Sequence, residues 1–195
     1  MTDDPPIRVQ AVETLYKDRK VLKKATFEFR RRDGEWKSLE RLVFDIGDAA
    51  AVLPYDAARG TILLLRQFRL PAYMSGKGGF LVEACAGKLD GDDPETCARR
   101  ETEEELGYRL TAVEPVFQAF MSPASVSERM YFFLAPYTPS DRISAGGGLA
   151  DEGEDIEVIE LPFAAAWVML ERGDIIDAKT IILLQQLKLS GRLPA

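Results

Sequence analysis

Between Ala86 and Tyr108 the chain reads A-G-K-L-D-G-D-D-P-E-T-C-A-R-R-E-T-E-E-E-L-G-Y, with Glu101, Glu104 and Glu105 at helical spacings of three and four. On a helix such residues share a face, and carboxylates four apart are separated by about 6 Å along the axis. Without a cation each pair costs roughly a few tenths of a kcal/mol. A hard divalent ion reverses that sign, because Mg²⁺ takes oxygen ligands and completes its octahedron with water. The acid stack therefore suits a metal site. It also suits a solvated helix face, since Glu is a strong helix former and Arg99 and Arg100 lie within pairing reach.

The elements that must position these acids are legible. Asp92 or Asp93 can cap a helix whose first position suits Pro94, and Gly107 is a good C-terminal stop, so a helix is expected over 94–106. The strand F-L-V-E-A-C-A (80–86) feeds it. Upstream, alternating residues predict strands at 8–14, 20–31 and 36–45, with a hairpin at R-R-D-G-E (31–35) and Arg19 and Arg41 on the strands. Two buried strands follow, A-A-A-V-L-P around residue 50 and T-I-L-L-L-R-Q-F-R at 61–69. A loop is expected at 72–79, strands at 113–120 and 129–137, and a last strand in I-E-V-I-E-L-P. Two helices close the chain, the first stopped by Gly173. Between the 129–137 strand and that last strand, S-A-G-G-G-L-A-D-E-G-E-D-I-E reads as a mobile glycine loop carrying acids, a form that lids often take.

Composition excludes several chemistries. The 195 residues contain no histidine, which removes Ser-His-Asp and Cys-His catalysis, His-ligated zinc and any imidazole base. Acid–base work falls to Glu, Asp, Lys, Tyr, Cys or metal-bound water. The net charge of −7 is uneven, with 11 basic against 9 acidic side chains in residues 1–45 and 14 against 23 in 46–195. Such a surface repels nucleic acid and anionic membranes. The opening M-T-D-D-P-P has neither a basic end nor an apolar core, so the expectation is no secretory signal and a cytoplasmic protein. Cys85 and Cys97 are expected as reduced, space-filling thiols.

The stretch 86–108 resembles the Nudix box, G-x5-E-x7-R-E-U-x-E-E-x-G-U with U apolar, at Gly87, Arg100, Glu101, Glu104, Glu105, Gly107 and Tyr108. It departs in three ways. The span from Gly87 to Glu101 is one residue short, Asp92 or Asp93 replaces the first Glu, and Thr102 takes the apolar position. The short box, followed by M-S-P and then G-G-G, resembles the GDP-mannose pyrophosphatase branch over about residues 60–190. The resemblance implies an α/β fold, a Nudix α/β/α sandwich with a mixed β-sheet and an N-terminal antiparallel β-extension. It places a boundary giving residues 1–46 as a dimerising β-sheet and 47–195 as the hydrolase domain. It further implies Mg²⁺-dependent hydrolysis of a nucleoside diphosphate sugar, with Mn²⁺ as an alternative ion, ADP-ribose as an alternative substrate, and a non-catalytic nucleotide-sugar sensor as the rival of another class.

By the same resemblance, the metal would be held by the Ala86 carbonyl, Glu101, Glu104, Glu105 and Glu154. Glu154, Glu105 and Glu128 would do the catalytic work, with Glu152 a rival to Glu154. Arg69, Arg41, Gly87, Glu128 and Lys179 would contact substrate, Arg41 by reaching across a homodimer. For Arg69 a structural ion pair is an equal expectation. A lysine at the start of a helix, where Lys179 stands, is locally unfavourable, which favours a task for it.

Overall fold

The structure is a computed structural model that describes residues 6–76 and 78–193. The first five residues, which bear on the reading of no secretory signal, lie outside them. The chain divides into two compact units, residues 1–48 with 120–129, and 49–119 with 130–195.

The first unit is an antiparallel meander of β1 (Ile7–Lys17), β2 (Val21–Arg30) and β3 (Trp36–Asp45), in the order β1-β2-β3. Arg19 falls in the turn between β1 and β2, not on a strand. The 120–129 segment is tied on by Phe44 N–H donating to the Ser125 carbonyl at 2.8 Å and Ser127 N–H to the Phe44 carbonyl at 3.2 Å. Asp48 takes the Arg129 N–H at 3.0 Å and its guanidinium at 2.9 Å. Every position of β1 is exposed, including Val9, Val12 and Tyr16.

The second unit is built on a mixed sheet in the order β10-β5-β4-β9-β8, where β4 is Ala49–Asp56, β5 Thr61–Phe68, β8 Glu114–Phe120, β9 Arg129–Pro136 and β10 Glu157–Pro162. β4 and β9 run parallel, while β4–β5 and β5–β10 run antiparallel. β4 and β5 pair only at Tyr55–Ile62 and Asp56–Thr61 and then part. The opening is filled by β6 (Phe80–Glu83) against β5 and β7 (Cys85–Lys88) against β4, with Ala84 alone between them.

Alternation along the strands sorts the core. Ala50, Val52, Leu63 and Leu65 face one side with Cys97, Ala98 and Leu106. The intervening Ala51, Leu53, Ile62 and Leu64 therefore face the other. There α4 (Ala178–Ser190), with Leu183, Leu184 and Leu187 buried, packs on β4. α3 (Phe163–Arg172) packs on β10 and ends at Gly173. The sandwich expected from the sequence is the one observed. No helix of the described residues is long and apolar enough to cross a membrane.

Two local expectations are corrected. Residues Leu70–Met74, partly assigned to a loop, form a short helix, α1, with Pro71 in its first turn, where its missing N–H leaves no helical bond unmade. The expected helix over 94–106 is α-helical only from Pro94 to Glu101 (α2); Thr102–Leu106 then makes a wider π turn, closed by Gly107 at φ +77°.

Of the two candidate caps, Asp93 does the work, accepting the Glu95 and Thr96 N–H groups at 3.1 Å, while Asp92 pairs with Arg100 at 3.3 Å. Asp93→Ala is expected to lower unfolding free energy in urea by about 1 kcal/mol, whereas Asp92→Ala, which removes only an exposed ion pair, changes it by no more than about 0.5 kcal/mol. Equal losses from the two would contradict the assignment.

Candidate active site

The turn from β7 into α2 brings the box acids onto the backbone of β7. Glu101 lies directly against Gly87, where an added Cβ would come within 1.8 Å of its carboxylate. Only glycine fits there. Glu105 lies beside the preceding residue, taking the Ala86 N–H on Oε2 at 3.1 Å and bonding the Cys85 thiol. Both carboxylates are buried, Glu101 with 9% and Glu105 with 2% of its surface exposed.

Their proton affinities reflect this. Burial is the chief cause that pushes Glu101 up to about 7, with the charges of Glu104 and Glu154 adding to it and Arg100 opposing. Burial likewise pushes Glu105 up to about 8, helped by the charges of Glu101 and Glu154. The cation in reach is Arg100, which contacts Glu101 at 2.8 Å, Glu104 at 3.1 Å and the Lys88 carbonyl at 3.0 Å. Burial also raises both thiols, so Cys85 and Cys97 remain protonated.

Glu154 belongs to the same electrostatic neighbourhood, since its charge is felt at both Glu101 and Glu105. Its Oε2 takes the Leu149 N–H at 3.0 Å. The side chain of its rival Glu152 lies outside what the structure describes. The glycines before it are tied down: Gly147 N–H donates to the Glu105 carbonyl at 2.9 Å and Gly148 N–H to the Glu104 carbonyl at 3.1 Å. At Gly146 the missing side chain permits the approach to the end of the box helix, since an added Cβ would come within 2.5 Å of the Glu105 carbonyl.

Arg69, at the end of β5, grips Glu83 through two hydrogen bonds of 2.9 and 2.8 Å. The structural ion pair anticipated for it is present. Lys179 donates to the same carboxylate and reaches Asp177 at 3.1 Å, so two acids offset the unfavourable position of a cation at the start of α4. The Arg69 guanidinium also feels the charge of Glu105. Sequence reasoning missed Glu83 and Asp177, although a lone acid in the apolar strand F-L-V-E-A-C-A was a usable signal. Arg41 and Glu128 belong to the other unit. Arg41 is exposed on β3, donates to the Glu40 carbonyl at 2.8 Å and borders a cavity of about 430 Å³ with Phe120, Ala124 and Ser125. Glu128 is half-buried just before β9.

The donor set fits a hard divalent cation in kind. Glu101 and Glu105 are buried carboxylates that resist ionisation together, and a nearby dication is the group that would favour it. As the side chains stand, no three Asp, Glu or Cys among the described residues converge closely enough to hold an ion. Glu101 and Glu104 are turned onto Arg100, and Glu154 onto a backbone N–H.

Comparison with known proteins agrees with this geometry. Residues 45–184 match the NUDIX domain, and residues 6–44 match the GDP-mannose pyrophosphatase NudK N-terminal domain. A protein of Pectobacterium atrosepticum named GDP-mannose pyrophosphatase is 48% identical over 172 residues, covering 88% of each chain. Proteins of the same name from Escherichia coli, 46% identical over 85% of this chain and 86% of the relative, and from Cronobacter sakazakii, 45% identical over 88% and 89%, are similarly related. Among solved structures, an ADP compounds hydrolase superposes with a TM-score of 0.72 over 99% of this chain and 100% of its own, at 22% identity, a likeness of fold. With the NUDIX match spanning the mixed sheet, the box helix, α3 and the first half of α4, the chain belongs to the Nudix family.

Proposed function

We propose that this protein hydrolyses the pyrophosphate bond of a nucleoside diphosphate sugar, converting GDP-mannose and water to GMP and mannose 1-phosphate. The observation that carries the substrate is the 45–48% identity, over most of both chains, to proteins named for that reaction. The buried Glu101–Glu105 pair on the β7 backbone supports the reaction class. Nudix enzymes work with a divalent cation; here Mg²⁺, with Mn²⁺ as the alternative, would be held by Glu101, Glu104, Glu105, Glu154 and the Ala86 carbonyl. When bound, the ion neutralises the diphosphate and acts as a Lewis acid on it.

The chain's own groups do the rest. Arg69 and Lys179 bind the diphosphate oxygens, and the backbone at Gly87, whose side-chain space Glu101 fills, contacts substrate. Glu154 or Glu128 orients the attacking water and takes its proton as the water oxygen bonds to phosphorus and the bridging P–O bond breaks. Glu105, held by the Ala86 N–H and the Cys85 thiol, keeps one fixed orientation. Arg41 contacts substrate from a second copy of the chain. Two copies join through the N-terminal sheet, a reading supported by the exposed apolar side chains of β1, and the protein acts in the cytoplasm.

A coupled phosphatase assay over a panel of nucleotide sugars that includes ADP-ribose is expected to release most phosphate from GDP-mannose with Mg²⁺ and none with EDTA. Preference for ADP-ribose would overturn the substrate, and turnover undiminished by EDTA the mechanism. In the same assay Glu105→Gln is expected to lose about a thousandfold in kcat while its circular dichroism is unchanged.

The raised carboxylates make a second expectation. Folded Glu101 and Glu105 hold protons up to about 7 and 8, whereas unfolded glutamates release theirs near 4.5. The folded state therefore binds more protons between those limits, and stability falls as pH rises through them, by on the order of a few kcal/mol. In EDTA the melting temperature should drop between pH 5 and 8, and drop less for Glu105→Gln or with saturating Mg²⁺. A profile that rises over that range in EDTA would contradict the burial of these acids. For the assembly, light scattering at micromolar concentration should give twice the chain mass; a monomer would remove the dimer and with it the role of Arg41.

A further inference from the structure

An ionised carboxylate taken out of water needs partners that replace its hydration. Glu83 is such a group, with 1% of its surface exposed. Its partners are Arg69, donating from Nε to Oε1 and from Nη2 to Oε2, and Lys179, donating to Oε2. Burial alone would raise its proton affinity, yet the two cations hold it below the usual range. One acid thus fixes two cations that arrive from different elements, the end of β5 and the start of α4.

The donor count gives that arrangement a use beyond stability. A guanidinium carries five N–H groups and an ammonium three. Arg69 spends the Nε edge on Glu83, which leaves its Nη1–Nη2 edge, and 39% of its side chain remains exposed. Lys179 spends two donors, on Glu83 and Asp177. Among the described residues these cations have no other side-chain partner. α4 is also held elsewhere: Ala84 N–H donates to Thr180 Oγ1 at 2.7 Å, and the helix packs on β4 with Leu183, Leu184 and Leu187 buried. Docking of the helix does not depend on Glu83 alone.

We propose that Glu83 is a positioning residue, holding Arg69 and Lys179 beside the box so that their remaining N–H groups converge on the diphosphate oxygens of the substrate. The inference rests on the reading of the site given above, and extends it to a residue that itself never touches substrate. A planar fork fixed at one edge presents the other at a defined angle, which suits two oxygens of one phosphate.

The test uses the full-length protein with Mg²⁺, and reads GDP-mannose kinetics alongside calorimetric binding of inorganic pyrophosphate. Glu83→Gln is expected to raise both KM and the pyrophosphate Kd by about tenfold or more, with kcat moving by less than about threefold. Glu83→Asp, which keeps the charge, should recover part of the loss. In an Arg69→Met/Lys179→Met background, Glu83→Gln should change neither constant by more than about twofold, because what it positions is gone. Constants within twofold of wild type for Glu83→Gln, or the same loss in both backgrounds, would overturn the proposal. If the wild-type chain turned over no nucleotide sugar but bound pyrophosphate with this dependence on Glu83, the positioning role would stand and the assigned reaction would fall.

Discussion

Two carboxylates buried against one strand set the terms for the whole second unit. Glu101 and Glu105 lie on consecutive residues of β7, one against a glycine that has no side chain to exclude it and one on a backbone N–H. Like charges brought this close and this far from water resist ionisation. The fold holds them there regardless, because α2 is capped by Asp93 and packed through Cys97 and Ala98 onto the sheet, and the π turn after it is tied by the glycine loop. Stability is given up locally to hold an anionic cluster whose chemistry fits a divalent cation.

The neighbouring cluster has the opposite character. Glu83 is as buried as Glu105, but two cations face it, and its proton affinity moves down where that of Glu105 moves up. The two carboxylates are equally buried, so the difference comes from partners and not from depth. One cluster is satisfied within the protein. The other is only partly so, through Arg100, a thiol and one N–H.

Most of the architecture was legible because alternation and capping are local. The sandwich came through the resemblance, while most strands, Pro94 at the helix start and Gly107 at its end were readable from residue types. The π turn over 102–106 was not, because widening a helical turn leaves no mark in composition. The α1 helix was obscured by its glycine-rich sequel at 76–79. The acids of the box were legible through their spacing, and Glu154 only through its resemblance. Glu83 was marked only as a lone acid in an apolar strand; which cations meet it is set by the tertiary fold. Glu128 and Arg41 lie in the first unit, and periodicity says nothing of what their side chains meet.

The parting of β4 and β5 has a consequence for how the chain can vary. Glu83 and Ala86 are separated by only two residues, and that span joins the strand beneath the ion-pair cluster to the strand beneath the acid stack. Side chains alternate along it, so inserting or deleting one residue would send each to the opposite face. Surface loops tolerate changes of length far better. The shortest connection in the sheet is therefore where a single-codon indel should be least tolerated.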